Sequence, residues 1–85
     1  MIPIGNLLND TITIYGKEGC GYCILAKSLC EEKGFTYTYK TLEKDFTIEE
    51  LYDIVPFKTF PQIFYNGKSI GGYTELKAIV DNLVS

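Results

Sequence analysis

Cys20-Gly21-Tyr22-Cys23 stands where a strand-like run gives way to a helix-like one, and that junction constrains this chain more than any other feature. Upstream, Thr11-Ile12-Thr13-Ile14-Tyr15 alternates polar and apolar residues of β-branched and aromatic type, the pattern of a half-buried strand. Downstream, Cys23, Ala26, Leu29 and Cys30 recur at three and four residues, which predicts a helix over Tyr22 to Lys33 closed by Gly34. Two thiols three residues apart across a first helical turn lie roughly 5–6 Å apart at Cα, within disulfide reach. A helix N-terminus also offers unpaired backbone N–H groups and the positive end of the helix dipole, both of which stabilise a thiolate. Cys20, at the open end, is therefore the expected nucleophile, and Cys23, one turn in, the resolving thiol. Lys17, three residues before Cys20, adds a positive charge acting in the same direction.

The remaining pattern supplies the frame. Phe35 to Thr41 alternates again and predicts a second strand. Thr47-Ile48-Glu49-Glu50 has capping-box form and opens a short helix that Pro56 should terminate. Pro61 to Tyr65 and Lys68 to Ile70 flank Asn66-Gly67, a strong hairpin signal. Thr74 is positioned to cap a last helix over Glu75 to Leu83, with Leu76, Ile79, Val80 and Leu83 on one face. The order β-α-β-α-β-β-α is that of an α/β fold whose first two strands run parallel and whose last two run antiparallel. Residues 1–10, with Ile2, Ile4, Leu7 and Leu8, read as a lead-in segment to a core over 11–85, the whole forming one domain.

Composition removes most competing chemistries. There is no His, so imidazole bases and Cys-His machinery are absent. Zinc needs four ligands, and one CxxC with a single distant Cys cannot supply them within one copy. Three Cys is an odd number, which favours reactive thiols in a reducing compartment over structural staples, and CxxC beside a βαβ pattern is a redox signature. Cys30 lies about 10 Å along the helix from Cys23, beyond bridging, and reads as a small core residue. Eight Lys, no Arg and a net charge of −3 leave no phosphate-tracking surface, so no nucleic acid is expected. No run approaches the roughly 20 apolar residues of a membrane span, and Met1-Ile2-Pro3-Ile4 has no basic region that would mark a secretory signal. A cytoplasmic protein is the expectation.

Three separated motifs carry a family resemblance: Tyr15 to Cys23, then Thr59-Phe60-Pro61-Gln62-Ile63-Phe64, then Gly71-Gly72 before a helix. In this order they resemble a glutaredoxin, of the minimal bacterial or bacteriophage form, over nearly the whole chain from residue 11 onward. The resemblance implies a thioredoxin-like fold, a four-stranded mixed sheet with helices on both faces. It implies a cis peptide before Pro61, so that the backbone of Phe60, with Thr59 beside it, pairs with the cysteine of bound glutathione. From the residues alone, Pro61 would only begin a strand. By the same resemblance Lys17 meets the glycine carboxylate of glutathione, Lys58 is a second partner for it, and Tyr22 flanks the reactive sulfur. Gly72, Tyr73 and Thr74 match the backbone segment that binds the γ-glutamyl carboxylate.

Two positions depart from the common pattern. Tyr73-Thr74-Glu75 replaces a Cys followed by Asp or Ser and Asp, so the usual ammonium partner is missing at Thr74 and Glu75 is a candidate replacement. Gly21 replaces the usual Pro, which frees a backbone N–H toward the Cys20 sulfur. Ile24 and Leu25 fall off the buried face and, if exposed, make an apolar rim suited to a protein disulfide, although scattered surface aliphatics are also ordinary.

The resulting expectation is a monomeric, glutathione-dependent thiol-disulfide oxidoreductase with Cys20 and Cys23 catalytic, near −200 to −230 mV as the family is. Its substrates would be glutathione mixed disulfides and protein disulfides, ribonucleotide reductase among them. Two alternatives stay open: a [2Fe–2S] carrier, as a homodimer bridged through Cys20 and glutathione, and a redoxin recharged by thioredoxin reductase.

Overall fold

The alternation at the amino-terminal strand decides which side of the sheet each core occupies. In the computed structural model, which describes residues 11–55 and 59–84, β1 spans Thr11–Gly16. Ile12 and Ile14 point to one face and are buried, while Tyr15 points to the other. β2 (Thr36–Thr41) runs parallel to β1, Thr11 opposite Thr36 and Gly16 opposite Thr41. β3 (Gln62–Tyr65) pairs antiparallel on the other edge of β1, and β4 (Lys68–Gly71) closes the order β2-β1-β3-β4.

Helix α1 (Gly21–Lys33) and helix α3 (Tyr73–Val84) share one face. Ala26, Leu29 and Cys30 from α1 and Leu76 and Val80 from α3 meet Ile12, Ile14, Phe35 and Ile63 there. The short α2 (Ile48–Tyr52) covers the opposite face, where Phe46, Leu51 and Val55 pack with Tyr15, Phe60 and Phe64. On β3 the sides alternate as on β1, since Ile63 and Tyr65 join the first cluster and Phe64 the second. The mixed four-stranded sheet with helices on both faces is thus present. Asn66 and Gly67 adopt positive φ, 53° and 84°, as the tight hairpin requires.

Boundaries shift where backbone N–H groups find other partners. Phe35 opens no strand, because its N–H donates to Cys30 O at 2.9 Å and closes α1 through left-handed Gly34; β2 begins at Thr36. The Thr47–Glu50 capping box forms, but α2 ends at Tyr52 before Pro56 is reached, as Ile54 N–H turns back to Leu51 O at 3.0 Å. α3 begins at Tyr73, so Thr74 lies inside the helix and caps nothing. The cap is Gly72, whose O accepts from Leu76 N–H at 3.0 Å and whose own N–H donates to the Glu75 carboxylate at 2.8 Å. Residues 1–10, Pro56, Lys58 and the side chain of Leu83 lie outside the described residues.

Candidate active site

Cys20 is the N-cap of α1, in extended backbone with φ −96° and ψ 109°, and its sulfur accepts the Cys23 N–H at 3.2 Å. No acidic residue occupies the first turn of α1, so nothing there offsets the positive helix end facing that sulfur. Glu18, the acidic residue in the loop before Cys20, is turned to Lys44 at 3.1 Å. Cys20 and Cys23 are joined as a disulfide with a Cα separation of 5.3 Å, inside the range expected from the spacing. Their burial differs: Cys20 is partly exposed, whereas Cys23 is fully buried. An exposed thiol at the cap can attack an incoming disulfide, and a buried one can then displace the partner.

Pro61 reaches this place by strand register. Tyr15 pairs with Gln62, so the segment before β3 lies beside the loop that follows β1. The Phe60–Pro61 peptide is cis. Gln62 is buried, and its Nε2 donates to Thr59 O at 2.7 Å and to Thr59 Oγ1 at 3.0 Å, tying down the turn that carries Phe60. In the sequence Gln62 stands within the Thr59–Phe64 motif and the strand after Pro61; its part in holding the turn is seen only once its burial and its bonds to Thr59 are known. Lys17 lies with Nζ 5.3 Å from the centroid of the Phe60 ring, a cation–π contact.

Gly72 completes the wall beside the turn, where a β-carbon would sit in ordinary contact, 3.4 Å from Pro61 O. The Tyr22 and Tyr73 rings stand 6.0 Å apart across the site. Tyr22, Thr59, Phe60, Pro61, Gly72, Tyr73, Thr74 and Glu75 together line a groove of about 210 Å³. Seven of these were candidates from sequence. Lys17 stands over Phe60 outside the lining, and Lys58 is not among the described residues.

Glu75 was only a candidate replacement, and the structure seats it in the groove wall. The Gly72 N–H, then the N–H of Glu75 itself, hold its carboxyl below the usual carboxylate range. The signal was the Glu three residues after a helix cap, hidden because Thr74 looked like the cap. Gly71 makes room for it: at φ 112° a β-carbon would lie 3.0 Å from the Glu75 carboxylate. Cys30 is fully buried, as a core residue should be, and burial first, then neighbouring Glu31, pushes its thiol up to about 11.

Residues 12–70 match the family model described as Glutaredoxin. The chain belongs to the glutaredoxin family. A glutaredoxin from Haemophilus influenzae is 40% identical over 77 residues, covering 81% of this chain and 88% of that one. The hybrid peroxiredoxin hyPrx5 of the same organism is 36% identical over 70 residues, 82% of this chain but 29% of its own length. Glutaredoxin 1 from Francisella tularensis, solved with cacodylate, superimposes with a TM-score of 0.74 at 34% identity, covering 88% of this chain and 96% of that one. A buckwheat glutaredoxin–glutathione complex superimposes with a TM-score of 0.73 at 25% identity, covering 95% and 79%. The fold is therefore the thioredoxin-like one of glutaredoxins, and the protein is a thiol-disulfide oxidoreductase working through its Cys20–Cys23 pair. Glutaredoxins use glutathione as co-substrate. Among the described residues no helix is long and apolar enough to cross a membrane, and no three His, Cys, Asp or Glu side chains gather as a metal site.

Proposed function

We propose that this glutaredoxin reduces glutathione mixed disulfides and protein disulfides with glutathione as its own reductant. The observation that carries the reading is the groove beside the Cys20–Cys23 disulfide, walled by the cis-proline turn on one side and the N-terminus of α3 on the other. Cys20 thiolate attacks one sulfur of the substrate disulfide, and the other leaves as a thiolate carrying the electron pair. Cys23 then displaces the bound thiol, leaving Cys20–Cys23 oxidised, or glutathione thiolate resolves Cys20 directly. In the glutathionylated intermediate the Phe60 backbone pairs with the glutathione cysteine, with Thr59 and Pro61 beside it. Lys17 and Lys58 meet its glycine carboxylate. Backbone N–H groups of Gly72, Tyr73 and Thr74 take the γ-glutamyl carboxylate, and Tyr22 covers the sulfur. Glu75 supplies the anion for the γ-glutamyl ammonium.

The proposal extends to a monomer of one domain over 1–85, residues 1–10 leading into the 11–85 core, working in the cytoplasm, the host's if the chain is phage-encoded. Ribonucleotide reductase belongs among its protein substrates. The test is glutathione-coupled reduction of a small glutathione mixed disulfide by wild type, Cys20→Ser and Cys23→Ser. Activity that disappears with Cys20→Ser and survives Cys23→Ser is the expected result. An inactive wild type that thioredoxin reductase can recharge would overturn it. A brown, dimeric protein after anaerobic purification would assign Cys20 to a bridging [2Fe–2S] cluster instead, with glutathione sulfur completing the ligands.

A further inference from the structure

Five large apolar side chains are exposed among the described residues, and three of them, Tyr22, Ile24 and Leu25, follow Cys20 within five positions. Their exposures are 62%, 59% and 46%, unusual for the first turns of a helix that packs its other face into the core. Gly21, Tyr22 and Leu25 line an open hollow of about 450 Å³. Its place follows from helix geometry, since Gly21 and Leu25 are one turn apart on the same face, and Tyr22 borders them on one side. Gly21 contributes the floor because it has no side chain: a β-carbon there would meet nothing within 4 Å. Tyr22 therefore has two sides. One looks into the groove of the cis-proline turn and Glu75, the other into the apolar hollow.

We propose that the hollow is a docking site for protein disulfides, taking a large aliphatic or aromatic side chain one or two residues from the target cysteine. The occupant is dictated by the chemistry of Cys20. Any protein it reduces is covalently bound to it in the mixed disulfide, so that partner's chain lies against the surface beside Cys20, whose exposed apolar part is Tyr22, Ile24 and Leu25. Gly21, the chain neighbour of Cys20, lines the hollow, and an extended chain advances about 3.3 Å per residue, so a side chain one or two positions from the bonded cysteine is placed to enter it. No charged side chain lines it, which favours an apolar neighbour over a charged one. Glutathione, on the reading above, occupies the other side of Tyr22 and does not compete for the hollow. This inference rests on that reading only for its control.

The test uses two acetylated tetrapeptide amides, identical except for Leu or Ser immediately before the cysteine, each as a mixed disulfide with thionitrobenzoate. Cys20 thiolate attacks the peptide sulfur, the sulfur–sulfur bond breaks, and thionitrobenzoate leaves with the electron pair and is read by its absorbance. Cys23 then releases the peptide thiol, which takes the Cys23 proton. Partial burial of one Leu side chain predicts a rate ratio of about tenfold for Leu over Ser, which is about 1.4 kcal/mol. Leu25→Gln, neutral and at an exposed position, brings the ratio to about one by slowing the Leu peptide alone. A wild-type ratio near one, or an unchanged ratio in Leu25→Gln, overturns the proposal. The glutathione–thionitrobenzoate disulfide gives the separate arm. If it reacts no faster than the Ser peptide, the glutathione reading fails while the peptide ratio still decides the hollow.

Discussion

Gly16 ends β1 at the point where the chain turns into the redox loop, and replacing it by Ala tests how tightly that point is packed. The added β-carbon would lie 2.7 Å from Tyr39 Cζ, with the Tyr39 hydroxyl closer still, and 3.1 Å from the Cys23 β-carbon. Real β-carbons do not come within 3.0 Å of another heavy atom, so the ring end, hydroxyl included, must retreat by roughly 1 Å to regain ordinary contact. Tyr39 is half-buried against the α1 face, with Lys27 Nζ 5.6 Å from its ring centroid, and Cys23 is held in a helix. Neither neighbour can yield freely. Overpacking of this kind costs about 2 kcal/mol, which for a chain of this size lowers Tm by roughly 10 °C. Thermal denaturation of Gly16→Ala, Tyr39→Ala and the double variant measures it as a cycle. Removing the ring should recover at least about 1 kcal/mol of the Gly16→Ala loss. A Gly16→Ala protein within about 0.5 kcal/mol of wild type, or strictly additive variants, would refute the claim that Tyr39 reserves this position for glycine.

Cys30 gives a prediction in alkali. Its folded thiol, pushed up to about 11, lies above the 9.0 of an unburied thiol, so its contribution is complete below pH 9 and is lost as pH rises through 11. Urea unfolding of wild type should weaken across that window by on the order of 2 kcal/mol, and Cys30→Ala should remove this part of the slope. Glu75 acts at the acid end. Its folded pKa is lowered, so the contact to Gly72 N–H stands above the ordinary carboxylate pKa and is lost as pH falls through the folded one. The Gly72 amide resonance should titrate with a midpoint below 4.5, and a pH-independent Gly72 shift would show that the carboxylate is not its partner. Thr47→Ala removes the acceptor for Glu50 N–H at 3.2 Å and should cost about 1 kcal/mol by chemical denaturation.

What the sequence determines by itself is local. The strand–CxxC–helix junction, the Asn66-Gly67 turn, the Thr47 capping box and the Gly34 helix stop each rest on groups a few residues apart. Such signals specify their own geometry, and the CxxC spacing accordingly yields the disulfide. The second wall of the site is different. Nothing in the periodicity of residues 59–65 says that Tyr15 pairs with Gln62, yet that register carries the Phe60–Pro61 turn to the redox loop. Family resemblance anticipated the meeting, and the non-local pairing of β3 with β1 brings it about. The same holds on a smaller scale at α3. The sequence offers Thr74 as the cap, but the backbone freedom of Gly71 lets Glu75 fold back onto the Gly72 N–H, and the helix starts at Tyr73 instead. Tyr39 over Gly16 and the two sides of Tyr22 are likewise products of tertiary packing, because they join residues whose separation in sequence carries no pattern.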